Sequence, residues 1–587
     1  MGWTRPVATC DAETDPFSKT RAENNLLPMP FVWGFYDNGI MDGDKPFYFF
    51  DTTDAFVEFI RDKEFIIYAH NGGKFDYHYL KDYLSEYDEV SVINGRIAQF
   101  KIGIAEFRDS WNILPVPLAM YQKQEQDYSI HEATERNKPE NRAVILDYLE
   151  SDCRNLYEIV TAYRDRFGNN LTQAGGAMRE LNKMNRHPLP VSRFPKFYDD
   201  YHPYYFGGRV ECFKAGIIER PFKVVDINSA YPFAMLHEHP YTYGVTTTND
   251  ADIRQDLTRT QIETGFFKVQ AVSHGAFPWK DAEGKIEDGA LIFPNDDIER
   301  EFCISGWEMY AALETGTAEI LAFKESHVFD YTTNFSEFIL SLYEERKRAK
   351  AAGDKAGDLL AKLAMNASYG RFAINPKRFR DYQLFAADKI GWLHPDNADA
   401  WEDVDKRVWS FAGYFGKWIL GQSPSPESRW KFYNVATAAS ITGFVRAYLW
   451  RAICEASDVL YCDTDSIAAG DVLAELGPEL GQWEIEGNFE RAAIAGKKLY
   501  AFRYCDADRP KDRFGNKIRY KVASKGVRLT AMEIESVARG ETVRYVPEVP
   551  TYKLGGFYNK KTGDKSFARY IPRSITMLER NRKKREV

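Results

Sequence analysis

Apolar positions recur along the chain with two spacings, and the changes from one to the other divide it. Up to about Phe167, apolar runs of strand length such as Phe47–Phe50 and Phe65–Ala69 alternate with helical segments, which predicts an α/β first unit. A stretch broken by Pro188, Pro190, Pro195 and Pro203 follows. Phe222–Asp226 is then an apolar strand ending in an aspartate, and Thr246–Val328 mixes strands and turns with many Gly and Asp. Phe335–Gly370 predicts two helices broken at Ala351–Asp354, where a helix-ending Gly precedes a capping Asp. Ile374–Glu427 is rich in Trp, Pro and basic residues. Val435–Ala456 predicts a helix and Val459–Ile467 a hairpin, with a mixed remainder and no internal repeat.

At about 150 residues per domain, 587 residues leave room for roughly four units, too many for a lone binding module. Hydrophobic residues at 44% and charged residues at 28% fit a packed globular chain. The formal net charge of −9 argues at first against a nucleic-acid partner. Metal-binding carboxylates and acidic outer faces can outweigh a basic channel, so position matters more than the sum. Basic residues cluster at Glu344–Lys350, Lys377–Arg380, Lys497–Lys498 and from Arg580 to Arg585. Seven cysteines without a CxxC pair suggest neither a zinc site nor a disulfide framework, and fit a reducing, cytoplasmic setting. No apolar leader and no stretch of about 18 apolar residues is found, so a soluble protein without a membrane partner is expected. Gly2 lacks the Ser or Thr of a myristoylation signal, since Pro6 stands there.

Candidate chemistry lies in the acidic segments. In the hairpin, YCDTDS (Tyr461–Ser466) places Asp463 and Asp465 two apart on a strand, facing one way at a tight turn. Hard divalent cations take such oxygen ligands. The competing reading is an acidic surface turn, but flanking Val459, Leu460 and Ile467 would bury the strand around charges that are costly to bury. KVVDINSAYP (Lys223–Pro232) adds Asp226 after an apolar strand and Tyr231 in the following turn; alternatively Asp226 is a helix cap. In KLAMNASYG (Lys362–Gly370), Lys362, Asn366 and Tyr369 share a helix face, offering an ammonium for phosphate and a ring for base stacking. An ordinary amphipathic helix is the alternative.

A second set lies upstream. The DxE pattern of Asp11 and Glu13 recurs at Asp281–Glu283 and Asp297–Glu299, so it means little alone. Only the first is followed by HNGGKFD, with Asn71, Phe75 and Asp76, and by YLESD, with Tyr148 and Asp152 one helical turn apart. There a tyrosine can orient water beside a metal-bound carboxylate, whereas a surface pair would predict nothing upstream.

In order and spacing these segments resemble motifs A, B and C of family B DNA polymerases (DxxSLYP, KxxxNSxYG, YxDTDS) and the three exonuclease motifs of DNA polymerases. Ala230 and Ala367 depart from the usual Leu and Ser. The resemblance implies that Asp226 and Asp465, with Asp463 close by, bind two Mg²⁺ ions, with Mn²⁺ as a substitute. It implies that Asp11, Glu13, Asp76 and Asp152 form a separate 3′→5′ exonuclease centre with Tyr148, in which Asp11, Glu13 and Asp152 hold metal. Lys362, Asn366 and Tyr369 are expected to contact the nucleotide, Tyr231 to exclude a ribose 2′-OH, and Arg346 and Lys350 to be further phosphate ligands. Ser110, Lys123, Asn71 and Phe75 resemble residues that hold single-stranded DNA. YFGG, with Tyr205, Gly207 and Gly208, resembles the YxGG element that contacts template, with a plain glycine turn as its alternative. Lys498 and Tyr500 resemble the KxY element that holds the primer end, and Thr464 is counted with the DNA ligands.

About 135 residues separate Asp226 from Lys362, and about 90 separate Gly370 from Asp463. Protein-primed family B polymerases, the replicases of small phages and linear plasmids, carry insertions at these two places. The expected fold is a multidomain α/β chain: an RNase H-like exonuclease domain (1–185) and a right-hand polymerase domain. The latter divides into palm (186–238 and 428–525), terminal protein region 1 (239–334), fingers (335–373), terminal protein region 2 (374–427), and thumb with basic tail (526–587). Expected partners are template and primer DNA, dNTPs, a terminal protein primer and a single-stranded DNA-binding protein, around a monomer. The alternatives are a family B replicase primed by RNA or DNA, a stand-alone nuclease, and a non-catalytic DNA-binding protein.

Overall fold

The computed structural model describes residues 5–185, 195–253, 257–280, 291–386, 401–402, 408–426, 433–512, 515–559, 562–578, 581 and 584. Pro188, Pro190, Asp281–Glu283, Trp392, Lys406 and Arg407 lie outside them, as do Arg580 and Arg585 of the basic tail.

The first unit is built on a seven-stranded sheet. Strand Val7–Thr14 pairs antiparallel with Pro30–Tyr36 and parallel with the central strand Ile66–Ala69, which in turn lies parallel to Ala105–Asp109. Parallel neighbours need both faces covered. On one face lies the Pro139–Phe167 helix, burying Ile145, Leu149 and Cys153 against Val32 and Tyr36. The Thr9 hydroxyl donates to Cys153 O across that contact at 2.7 Å. Phe56, Ile60 and Tyr77 join the Trp33 and Phe107 cluster of the same unit.

A second large sheet runs in the order 520–524, 499–504, 483–496, 222–227, 466–471, 457–463 and 210–212. Its central strand Phe222–Ile227 is interdigitated between Ser466–Asp471 and Trp483–Gly496. The buried Val435–Glu455 helix joins the core that contains Val225, Ile227 and Ile467 from this sheet. Ser336–Ala352 and Lys355–Phe372 are the two predicted helices, packed against each other. Gly353 takes a left-handed φ of 71° at the break, and the Asp354 side chain caps the second helix by accepting from Gly357 N.

Two further sheets interrupt this frame. Val245–Thr247, Ala318–Val328, Phe266–Ser273 and Arg300–Ser305 form a four-stranded antiparallel sheet within 239–334. A second sheet orders Arg380–Phe385, Trp418–Pro424, Val408–Phe415 and Trp401–Glu402 within 374–427. This second sheet docks on the first unit: Lys417 N donates to Asp82 at 2.7 Å and Trp418 Nε1 to Leu84 O at 3.0 Å. It also meets the C-terminal hairpin Thr551–Tyr558/Lys565–Arg569, where a Cβ on Gly413 would overlap the Gly555 backbone.

Candidate active sites

Two carboxylate centres occupy separate sheets. In the second large sheet, register brings the sequence-distant acids together: Asp226 pairs with Ser466, and Asp463 is opposite the same serine. Ile227 N donates to Asp465 O at 2.9 Å, which fixes the turn beside the Asp226 strand. The turn is tight. Thr464 adopts φ 60°, and Asp465 N reaches back to Asp463 O at 2.6 Å. Burial, then the charge of Asp465, pushes Asp226 up to about 7. Burial, then Asp463, lifts Asp465 to about 6.

Around these acids lies a cleft of about 480 Å³ that also takes in Tyr231, Asn366, Tyr369, Thr464, Lys498 and Tyr500. The rings of Tyr231 and Tyr369 stack at 3.9 Å and 7°, joining the turn after Asp226 to the Lys355–Phe372 helix. Lys362 and Asn366 are exposed on that helix, and Asn366 Nδ2 donates to Lys362 O at 3.1 Å. Lys498 Nζ lies 3.0 Å from Asp463, while its amide donates to Tyr461 Oη at 2.8 Å and Tyr500 packs on the Tyr461 ring. Gly208 passes so close that a Cβ would lie 2.7 Å from Thr464 Cγ2 and 2.9 Å from Tyr231 Oη. Arg346 does not line the cleft; its Nε donates to Asp358 at 2.9 Å, and Lys350 is exposed on the same helix. Glu486 and Lys521, paired with each other, line the cleft without having been singled out by sequence. Glu486 sits on a strand that carried no recognised motif.

In the first sheet, Asp11 and Glu13 project from strand Val7–Thr14 opposite Gly34 and Val32. Asp76 starts a short 3₁₀ turn after Phe75, and Tyr148 and Asp152 come from the overlying helix, 2% and 4% exposed. Burial, then Asp152, raises Asp11 to about 7, and burial with neighbouring acids puts Glu13 and Asp76 well above the carboxylate range. Lys123 Nζ sits 2.9 Å from Asp152 and over the Tyr148 ring at 5.3 Å. Burial pushes that ammonium down, but Asp152 and Tyr128 outweigh it and hold it above its ordinary range. The predicted DNA ligands divide. Phe75 packs edge-on against Phe17 and Tyr552, and Asn71, at φ 63°, accepts from Arg96 at 2.6 Å. Ser110 is fully buried, donating to Ala69 O at 3.1 Å and meeting His70 Nδ1 at 3.0 Å, so any influence on a bound strand passes through the His70 segment. Two neighbours escaped the sequence reading for want of a motif: the Tyr128 hydroxyl lies 3.0 Å from that of Tyr148, and buried His131 lies 3.5 Å from Glu13.

Among the described residues no three carboxylate, histidine or cysteine side chains converge on one point at metal-ligand distance. The donor sets nevertheless suit hard divalent cations. Acids of like charge crowd each centre, half-buried in the second sheet and mostly buried in the first, a lysine ammonium lies against one acid in each, and the buried oxygens Asp76 Oδ1 and Asp152 Oδ1 accept no hydrogen bond.

Comparison with known proteins agrees with this geometry. Over 576 residues the chain is 34% identical to a DNA-directed DNA polymerase of Enterobacteria phage PRD1, covering 94% of this chain and 96% of that one. A probable DNA polymerase of Agaricus bitorquis is 22% identical over 404 residues, 62% of this chain and 48% of that one. The model of the family described as DNA polymerase type B, organellar and viral, matches residues 115–403. In fold the chain is similar to Phi29 DNA polymerase complexed with primer-template DNA and incoming nucleotide substrates, with a TM-score of 0.65 at 16% identity over 98% of this chain and 100% of that one. That likeness bears out the expected fold class, a multidomain α/β chain of RNase H-like and right-hand architecture. The chain therefore belongs to the type B DNA polymerases of organelles and viruses, the protein-primed type within family B.

Proposed function

We propose that this DNA-directed DNA polymerase also proofreads with a 3′→5′ exonuclease, starts synthesis from a terminal protein, and displaces strands processively. The observation that carries the two-activity reading is the separation of the carboxylates into two centres on two sheets, each with its own lysine. In this reading 1–185 is the exonuclease domain, 186–238 and 428–525 the palm, 335–373 the fingers and 526–587 the thumb and tail. Segments 239–334 and 374–427 are the terminal protein regions.

Two Mg²⁺ ions per centre, with Mn²⁺ as a substitute, would supply stabilisation of attacking and leaving oxygens. Asp226, Asp463 and Asp465 hold them for polymerisation, and Asp11, Glu13 and Asp152, with Asp76, for excision. The other roles belong to the chain's own side chains. Tyr231 lies under the sugar of the incoming dNTP, Tyr369 and Asn366 meet its base side, and Lys362 neutralises triphosphate charge. Lys498 and Tyr500 hold the primer end, and Tyr205 with Gly207 and Gly208 admits the template backbone. Arg346 reaches a phosphate only by leaving Asp358. In the exonuclease, Tyr148 orients the attacking water and Lys123 balances charge on the scissile phosphate, while Asn71 and Phe75 hold the unpaired strand.

The support for strand displacement is the seat of the second insertion between the first unit and the C-terminal hairpin, as in a ring around downstream DNA. Among its described aromatics Trp409 and Tyr414 do not support base stacking: both are buried, and Trp409 packs with Phe385 and Ile419 as a small core. Excising residues 387–407 should leave gap filling intact and stall synthesis at a downstream duplex. Copying of duplex DNA at parental length would sink the ring reading. Initiation should attach a deoxynucleotide to a hydroxyl side chain of the cognate terminal protein, with no nucleic-acid primer. If neighbouring small basic proteins all fail while RNA primers are extended, the enzyme is an ordinary family B replicase.

A further inference from the structure

The Tyr205–Gly208 segment meets the polymerisation cleft at Gly208, against Thr464 and Tyr231, and two buried arginines tie it to the first insertion. Arg209 follows Gly208 and is 1% exposed. Its carbonyl accepts Thr464 N at 2.6 Å, so the backbone carrying it rests on the turn between Asp463 and Asp465. The side chain points away from the cleft. One guanidinium nitrogen donates to Gly275 O and another to Glu211, each at 2.7 Å, and the cation lies over the rings of Phe293 and Trp450 at 4.1 and 4.2 Å. Gly275 and Phe293 belong to segment 239–334.

The other tie starts in the Val435–Glu455 helix. Arg446, 2% exposed, donates to Phe206 O at 2.6 Å and Gly207 O at 2.9 Å, and its Nε donates to Glu308 at 2.7 Å. Glu308, equally buried, also belongs to segment 239–334. Its second carboxylate oxygen accepts both the amide and the hydroxyl of Ser305, closing the capping box of the Gly306–Glu314 helix. The orientation of Arg446 is thus set by the first turn of an insertion helix. A guanidinium is a planar fork of donors, so rotating or shifting its anchor moves every group it holds. Buried charged networks of this kind have few alternative arrangements.

We propose that Arg209 and the Glu308–Arg446 pair are positioning residues through which the first insertion sets the height of the Tyr205–Gly208 segment over the template, and so the division of the primer end between extension and excision. This rests on the reading above in which that segment meets the template. None of the three side chains lines the catalytic cleft. They act through the Phe206 and Gly207 carbonyls and the Thr464 amide.

The test uses the full chain with Glu308→Gln and Arg209→Met, the first keeping size and an acceptor for the helix cap. Three quantities are measured: the unfolding midpoint, excision of a single-stranded oligonucleotide, and the dNTP concentration at which extension balances excision on a template–primer. The expected result is a lowered midpoint, because each change leaves a buried group without its partner, with parental single-strand excision below that midpoint and the balance point raised about tenfold, the factor that corresponds to one charge-assisted hydrogen bond. Arg209→Lys, which keeps a charge over the two rings but loses the fork, replaces Arg209→Met if that variant does not fold. An unmoved balance point overturns the proposal. So does a fall of both activities in step with the midpoint, which would make the ties structural only. A parent protein that fails to extend primers at all would instead refute the function proposed above.

Discussion

Replacing Asp11 by Asn removes a charge from the crowded first carboxylate centre and is expected to stabilise the metal-free protein. Burial, followed by the Asp152 charge, raises Asp11 from 3.8 to about 7. A carboxyl whose folded value is raised binds its proton more tightly in the folded state. Its contribution to stability is complete below pH 4 or so and is lost as the pH climbs through 7. At about 1.4 kcal/mol per unit, the whole shift would cost the folded state about 4 kcal/mol at pH 8. Glu13 and Asp76 share that crowding and Lys123 offsets part of it, so relief at one position should return about 1–2 kcal/mol. For a unit of this size that is a rise of about 3–6 °C in the unfolding midpoint. Thermal unfolding in EDTA should show this gain for Asp11→Asn at pH 8 and less than half of it at pH 5. Excess Mg²⁺ should raise the parent more than the variant, because only the folded parent has the full ligand set. A lower midpoint for the variant at pH 8, or equal shifts at the two pH values, would refute the reasoning.

Tyr231→Val should let ribonucleotides compete, because the stacked Tyr231–Tyr369 pair loses the ring proposed to lie beneath the sugar; unchanged discrimination in single-nucleotide extension would remove Tyr231 from that role. Gly208→Ala forces a Cβ against Thr464 and Tyr231 and should lower extension about tenfold, a typical result of overpacking, while excision of single strands stays parental. If extension is unaffected, the close approach of that backbone to the turn is not what positions it.

Much of the polymerisation centre was legible in the sequence because its parts carry local signals. Asp463 and Asp465 are two apart in an apolar hairpin, although in the structure Asp463 ends the strand and Asp465 lies in the two-residue turn after it; Asp226 ends an apolar run, and Lys362, Asn366 and Tyr369 are a turn apart on a helix whose start is marked by Gly353 and Asp354. What joins them is sheet register, and no local pattern encodes that Asp226 pairs with Ser466. Glu486 and Lys521 were missed for the same reason: they reach the cleft from strands one and three places from the Asp226 strand in the sheet order, with no motif around them. The aromatic and basic composition of Ile374–Glu427 suits a stacking surface for nucleic acid and, nearly as well, a small core. Trp409 and Tyr414 went inward because a four-stranded sheet of that length needs rings to bury. Arg209 and Arg446 were invisible as single arginines, since their meaning comes from Gly275, Glu308 and two carbonyls far away in the chain.

The central claim is that one chain holds two independent carboxylate centres, one that extends and one that excises. A single assay addresses it: a labelled primer with a mismatched 3′ end on its template, incubated with Mg²⁺ and dNTPs, using the parent, Asp465→Asn, and Asp11→Asn combined with Asp76→Asn. The parent should excise the mismatch and then extend. Asp465→Asn should shorten the primer and never lengthen it, and the exonuclease double variant should leave the mismatch unexcised while still extending a matched primer. Loss of both activities in either variant would contradict the account.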